Sequence, residues 1–184
     1  QAQRTQPLWL LMLRAQLGWQ TPVPYTLADM AADAAHLLDH LRIPQAHVLG
    51  ASMGGMIAQV LAAEYPQRVA SLCILFSSTN QPLLPPPAPS LLWLLVRRPA
   101  ADLTLQQRHE GMKTFLRALG TRFYPPEEAE LDTLVTRLLK RGVDPEGMQR
   151  QLSALLGSGD LRRYSRRIAA PTLVIHGDRD RLGR

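Results

Sequence analysis

The sequence contains a single cysteine, only two lysines and no long apolar run. Cys73 has no second cysteine to pair with, so an internal disulfide is excluded, and its apolar neighbours predict a packing role. The apolar segment 8–13 is followed at once by Arg14, so it is too short for a membrane span and does not match a cleavable signal. We expect a cytoplasmic protein, but the chain begins at Gln1 without methionine, and we expect further sequence, which could carry a signal, ahead of it.

Nearly all of the positive charge is carried by arginine. Lysine and arginine total 21 against 15 acidic residues, which gives a formal net charge of +6, and the two lysines are Lys113 and Lys140. A basic balance can indicate a nucleic-acid or membrane partner. Here the arginines are scattered, apart from one cluster within residues 162–167 that we interpret as the solvated face of a short helix. No nucleic-acid partner is expected.

Two histidines on a predicted helix raise the question of a metal site. The helix begins at Thr26, where Thr26 and Asp29 form a capping-box pattern, and it ends before Pro44. His36 and His40 are four residues apart on its polar face, but Leu37 stands where a zinc-protease motif has glutamate. We interpret both histidines as part of a solvated helix face. No metal and no cofactor is expected.

The most specific stretch is residues 47–55, where an apolar strand meets a helix through the pattern Gly-x-Ser-x-Gly. Ser52 stands at the centre, with Gly50 two residues before it and Gly54 two residues after it. In a nucleophile elbow the turn is so tight that the serine backbone is strained, and small residues are needed on both sides. We therefore predict Ser52 as a nucleophile at a helix N-terminus, where free N–H groups can stabilise an oxyanion.

The flanking sequence places this serine in a parallel sheet. A helical segment that is apolar on nearly all sides follows at 56–65, and the apolar segment 69–76 predicts the next strand. Strand, helix and strand with short links predict a βαβ unit of an α/β fold. Ser52 then lies at the carboxyl end of a parallel strand, where open α/β sheets bind their ligands.

A change of composition at residue 81 predicts an inserted cap. The proline-rich segment 81–90 is followed by helical segments up to residue 156, with no predicted strand between them. We predict core at residues 1–80, a helical cap over Ser52 at 81–160 and a return to the core at 161–184. Aliphatic side chains at 91–96 suit a bulky apolar substrate or simply pack the cap onto the core.

The return to the core carries a candidate catalytic acid. The apolar, β-branched segment 171–177 predicts a strand that ends at Gly177, and Asp178 and Asp180 follow it. An acid just beyond a later parallel strand can orient a catalytic histidine at the same sheet edge. A surface turn also favours aspartate, so these two residues alone are weak evidence for a catalytic acid. They indicate one in combination with the elbow that precedes them.

Taken together, these motifs resemble the α/β-hydrolase superfamily. The resemblance rests on residues 50–55, 65–69 and 171–180, and with residues 25–30 and 77–80 the chain is similar to bacterial esterases of the aclacinomycin-methylesterase type. It implies an α/β-hydrolase fold that is only partial here, a parallel sheet with a helical cap insertion, over about residues 25–180. It also implies Ser52 as nucleophile, Met53 as the source of one oxyanion-hole N–H, and Asp180 as the triad acid.

The resemblance further implies a serine hydrolase of carboxylic esters, a carboxylesterase or methylesterase, that acts on a small-molecule apolar ester through an acyl-enzyme. The family's histidine follows the acid, and its second oxyanion donor precedes the elbow, so both are expected outside this chain. We assign none of the five histidines as the base and expect the chain as given to be nearly inert. The alternatives are a cofactor-free perhydrolase, a carbon–carbon bond hydrolase of the same fold, or a non-catalytic fragment. The sequence leaves the substrate and the oligomeric state open.

Overall fold

The computed structural model describes residues 8–19, 21–85, 88–96, 102–121, 123–142 and 145–180. Its parallel strands are β1 (Ala46–Ala51), β2 (Val69–Leu75) and β3 (Thr172–Ile175). Its α-helices are α1 (Leu8–Gln16), α2 (Leu27–His40), α3 (Met53–Glu64), α4 (Pro89–Val96), α5 (Leu105–Leu119), α6 (Glu128–Lys140), α7 (Pro145–Gly157) and α8 (Arg162–Ser165). None of the described helices is both long enough and apolar enough to cross a membrane.

The described residues divide into two compact units. The first, which contains the sheet, lies within Gln1–Leu84 and Gln149–Gly177, and the second lies within Pro85–Met148 and Asp178–Arg184. These divisions fall at other points than the predicted boundaries after residues 80 and 160. The cap over Ser52 therefore stays a prediction, and α7 begins in one unit and ends in the other.

The sheet of the first unit has the order β1–β2–β3, and both pairs of strands are parallel. The predicted βαβ unit is thereby confirmed. Strand β1 aligns Val48 with Leu72 and Gly50 with Ile74, and β2 aligns Ile74 with Val174. Because side chains alternate along a strand, these residues share one face of the sheet.

Helix α3 lies at the centre of this unit, as its apolar sequence predicts. Val60, Leu61 and Ala62 are at most 4% exposed, and they belong to a core that also contains Leu72 of β2. Helix α2 adds its own buried stripe to that core, with the residues Leu27, Ala31 and Ala35. The spacing of four residues along α2 is what places these three side chains on one helix face.

The start of α2 is fixed by the predicted capping box. Thr26 Oγ1 accepts a hydrogen bond from the Asp29 N–H at 3.2 Å, and the Asp29 carboxylate accepts one from the Thr26 N–H at 2.7 Å. The backbone hydrogen bond from Thr26, followed by the one from its hydroxyl, lowers the pKa of Asp29. His36 and His40 are both exposed, and the described residues contain no cluster that could hold a metal ion.

The apolar strands of the sheet differ in burial. The continuously apolar sequence of 69–76 is typical of a parallel strand buried on both faces, and in β2 the residues are either buried or partly exposed. In β3, by contrast, every residue is exposed. On the other face of the sheet, Leu49, Leu173 and Ile175 are each at least half exposed. The helices of the core pack against the face that carries Val48 and Leu72, but this packing does not reach β3, whose Val174 on the same face is 62% exposed.

The second unit contains α4, α5 and α6, and the predicted helices are confirmed where the structure describes them. Lys113 of α5 is buried and forms ion pairs with Glu128 and Asp132 of α6. The hydrogen bonds that its ammonium donates, first to Asp132 and then to Glu128, raise the pKa of Lys113. His109 Nε2 lies 4.0 Å from the same Asp132 carboxylate. The sequence also predicts a helix that is capped by Asp144 and has Pro145 at its first position. Asp144 lies outside the described residues, and Pro145 is the first residue of α7.

Candidate functional site

Ser52 occupies the single residue between the end of β1 and the start of α3. Its backbone has φ 52° and ψ −123°, a left-handed conformation that is costly for a residue with a side chain. The strained turn that the Gly-x-Ser-x-Gly pattern predicts is therefore present. Ser52 makes no capping hydrogen bond with its side chain, so its Oγ is not committed to the helix that it precedes. Met53, the predicted oxyanion donor, is the first residue of α3.

The strained backbone of Ser52 is held from both sides by the end of β2. The Ser52 N–H donates to the Leu75 carbonyl at 3.0 Å. The Ser77 hydroxyl donates to the Ser52 carbonyl at 2.7 Å. These two hydrogen bonds fix the peptide groups on either side of Ser52. The end of the neighbouring strand therefore determines the position of the Ser52 backbone, from which its side chain projects.

The glycines around the serine differ in how much they are needed. A Cβ placed on Gly50 would lie 2.3 Å from the Gly54 carbonyl oxygen, which is backbone and cannot give way. The predicted need for a small residue at Gly54 is wrong, because a Cβ there meets nothing within 4 Å. The second close approach is instead at Gly55, where a Cβ would lie 2.6 Å from Ser77 Cβ. Strand and helix thus pass closest at Gly50 and Gly55.

Two amide side chains that the sequence analysis did not single out make hydrogen bonds within the first unit, and that of Gln59 reaches the elbow. Gln59 is 4% exposed, and its amide donates to the carbonyls of Gly55 and Ser78 at 3.2 and 3.0 Å. Its oxygen accepts a hydrogen bond from Ser165 Oγ at 2.9 Å. Asn80 donates to the carbonyl oxygen of Gly159 at 3.0 Å. A glutamine within an otherwise apolar helix was the one sequence signal that could have revealed this link.

Replacing Ser77 with alanine is expected to loosen the elbow. The change removes the hydrogen bond to the Ser52 carbonyl, which we expect to lower the free energy of unfolding by about 1 kcal/mol. Urea denaturation followed by circular dichroism measures the difference. Ser71→Ala, on the same strand, is the matched control, because its hydroxyl pairs with an exposed histidine and not with the elbow. Equal losses in the two variants would contradict this role of Ser77.

The predicted acid lies beyond the end of β3. Asp178 is exposed, Asp180 is half-buried, and both follow Gly177, the residue at which the first unit ends. His176 is exposed and immediately precedes that glycine. The order of strand, glycine and acid is the one that the sequence predicts, and the assignment of Asp180 to a triad remains a prediction.

A different serine has a histidine beside it. Ser71 Oγ lies 2.7 Å from His47 Nδ1, on neighbouring strands of the sheet. Hydrogen bonding to a histidine is one mark of an activated serine. Ser71, however, lies within β2 and not at a strand end or a helix N-terminus, so it has none of the free N–H groups that surround Ser52. We therefore keep Ser52 as the candidate nucleophile and treat Ser71 as its control.

Comparison with known proteins identifies the family. A model of the alpha/beta hydrolase fold matches residues 10–124, which is more than half of the chain. The chain belongs to the alpha/beta hydrolase family. The matched region contains both β1 and α3, and hence the whole serine turn.

Individual alpha/beta hydrolases match over most of this chain. It is 32% identical over 165 residues to 3-oxoadipate enol-lactonase 2 of Acinetobacter baylyi, an alignment that covers 87% of the chain and 56% of that enzyme. It is 31% identical to the 2-hydroxy-6-oxononadienedioate/2-hydroxy-6-oxononatrienedioate hydrolase of Burkholderia vietnamiensis, over 80% of the chain and 50% of the relative. The chain thus spans about half the length of these curated relatives.

A solved alpha/beta hydrolase structure has the same arrangement of elements. The crystal structure of a hydrolase from Pseudomonas aeruginosa superposes with a TM-score of 0.59 at 27% identity. The superposition covers 85% of this chain and 56% of that structure. The fold class predicted from the sequence, an α/β-hydrolase fold with a partial parallel sheet, is confirmed by the family match and by this superposition.

Proposed function

We propose that the whole protein is a serine hydrolase of carboxylic esters, a carboxylesterase or methylesterase, with Ser52 as its nucleophile. The observation that carries the proposal is the strained backbone of Ser52 between β1 and α3, anchored to the end of β2 on both sides. Family membership makes hydrolysis the general reaction. The name of the enol-lactonase relative supports an ester, since a lactone is a cyclic ester.

In the proposed reaction Ser52 Oγ attacks the ester carbonyl, and an alcohol leaves as the acyl-enzyme forms. Asp180 holds a histidine in the tautomer that takes the serine proton, and water then releases the acid. The Met53 N–H, at the start of α3, donates to the oxyanion. We assign the histidine and the second oxyanion donor to parts of the fold outside the 56% of the enol-lactonase that this chain matches.

Hydrolysis of a p-nitrophenyl ester tests the proposal. We expect little activity from the 184-residue chain, and ready hydrolysis from a chimera that joins it to the remaining segments of the enol-lactonase relative. Because of the Burkholderia relative, hydrolysis of a carbon–carbon bond is a second candidate function, and the substrate panel therefore also contains a 2-hydroxy-6-oxo-dienoate. A parallel assay with added peroxide detects perhydrolysis. Cleavage of the dienoate in preference to the ester would overturn the esterase assignment but not the nucleophile.

A further inference from the structure

A groove on the first unit is separate from the serine turn. It has a volume of about 440 Å³, which lies within the range of small-molecule sites. It is formed by the segment before α2, the start of α2, one side chain of α3, and the chain between the end of α7 and α8. Neither Ser52 nor any residue of its turn lines it. We call it the Thr21 groove.

The body of the Thr21 groove is apolar. The side chains that give it this character come from four different segments, and they are Pro22, Val23, Leu27, Val60 and Leu161. Leu27, Val60 and Leu161 are fully buried members of the core, so the wall that they form is rigid. A hydrocarbon group is the chemistry that gains most from such a wall.

Three hydrogen-bond donors lie on the lining of the same groove. Thr21 is 4% exposed, and its Oγ1 is the buried side-chain oxygen that has no partner among the described residues. Tyr164 is 9% exposed, and its oxygen accepts from Arg163 at 3.0 Å, which leaves its own proton to donate. Arg163 is the one charged residue in the lining.

The geometry of these donors selects the charge of the occupant. The Arg163 guanidinium lies 4.7 Å from the centre of the Tyr164 ring, so the two groups form one unit. The described lining contains Arg163 and no acidic side chain, which favours a negatively charged group there. A buried hydroxyl that lacks a partner is costly, and an acceptor placed in the groove would relieve that cost.

We propose that the Thr21 groove binds a small carboxylate with an apolar tail. The carboxylate accepts from Arg163 and Tyr164, the Thr21 hydroxyl gains its missing acceptor, and the tail lies along the apolar wall. The site does not depend on the proposed esterase activity, since it shares no lining residue with the serine turn.

Calorimetric titration of the 184-residue chain with hexanoate tests the site. Binding is expected in the millimolar range or tighter, 1-hexanol at the same concentration is expected to bind much more weakly, and Arg163→Gln is expected to weaken hexanoate binding about tenfold. Arg166→Gln, with the same change of charge on an exposed neighbour that is not in the lining, is the matched control. Equal weakening by both arginine variants, or no binding of hexanoate, would overturn the proposal.

Two further variants decide which site the hexanoate occupies. Ser52→Ala is expected to bind hexanoate as the wild type does, and a loss of binding would place the carboxylate in the serine site instead. Thr21→Val removes the buried hydroxyl at nearly constant shape, so it is expected to weaken binding severalfold and to raise the thermal midpoint of the free protein. A raised midpoint with unchanged affinity would show that the hydroxyl is not a ligand and would overturn its part in the site.

Discussion

Replacing Ser52 with alanine in the active chimera is expected to lower kcat for p-nitrophenyl ester hydrolysis by about 1,000-fold or more. In the proposed mechanism the serine supplies the oxygen that forms the acyl-enzyme, and the residues of a catalytic triad act as a unit, so no neighbouring group is expected to replace it. Removing the hydroxyl leaves the backbone hydrogen bonds of residue 52 in place, because they involve its N–H and its carbonyl. The loss is therefore chemical and not a failure of the elbow to form.

Ser71→Ala is the control that makes this result specific. Ser71 Oγ lies within hydrogen-bond distance of a histidine nitrogen, at 2.7 Å. If the nucleophile were chosen by that contact alone, Ser71 would be preferred to Ser52. We expect Ser71→Ala to keep nearly full activity, because its position within β2 offers no oxyanion donors. Activity that survives Ser52→Ala and disappears in Ser71→Ala would reverse the assignment.

Labelling of the protein gives a second, independent reading of the same prediction. A fluorophosphonate adds to an activated serine, and the intact mass shows how many serines have reacted. We expect one adduct on the chimera, located on the peptide that contains Ser52, and none on its Ser52→Ala variant. The adduct should persist in the Ser71→Ala variant.

Replacing Gly50 with alanine is expected to lower the free energy of unfolding more than the same replacement at any other glycine of the elbow. The new Cβ would lie 2.3 Å from the Gly54 carbonyl oxygen and 2.8 Å from Gly55 Cα. Both are backbone atoms at the start of α3, so relief requires the helix to move away from β1. We expect a loss of about 3 kcal/mol or more, or an insoluble protein.

Gly54→Ala adds the same methyl group four residues later and is the matched control. A Cβ at Gly54 meets nothing within 4 Å, and alanine is the better helix former by about 1 kcal/mol. We therefore expect unchanged or slightly increased stability. Soluble yield and urea denaturation of the two variants measure the contrast. Equal tolerance of both alanines would show that β1 and α3 are not as close as the structure has them.

These two glycines show how far sequence reasoning reaches at the site. The pattern of Gly50, Ser52 and Gly54 predicts a strained serine between a strand and a helix, and the structure contains it. The pattern treats both flanking glycines as equally necessary, and that is where it fails. A glycine is necessary at position 55 because a Cβ there would meet Ser77. Ser77 is 22 residues further along the chain, just after the end of β2.

Among the other residues near the site, some are predicted from local sequence and others have contacts that the sequence does not reveal. Asp180 is predicted from its place after a strand and a glycine, and that prediction needs only local order. The contacts of Gln59 with Ser78 and Ser165 could not be predicted, because they join a helix to a loop 19 residues away and to the return segment 106 residues away. The exposure of β3 was also unpredictable, since an apolar strand has the same sequence whether one face or both are covered.

The amino-acid sequence predicts the parallel α/β arrangement, the start of α2 at its capping box, the central place of α3 and the strained serine between β1 and α3. Each of these follows from local turn geometry or from the period of apolar residues. Three features are visible only in the folded chain, namely the close approaches at Gly50 and Gly55, the histidine partner of Ser71 and the groove that Thr21 lines with Tyr164. These features depend on atoms that are distant along the chain and meet only when the sheet and its helices have packed.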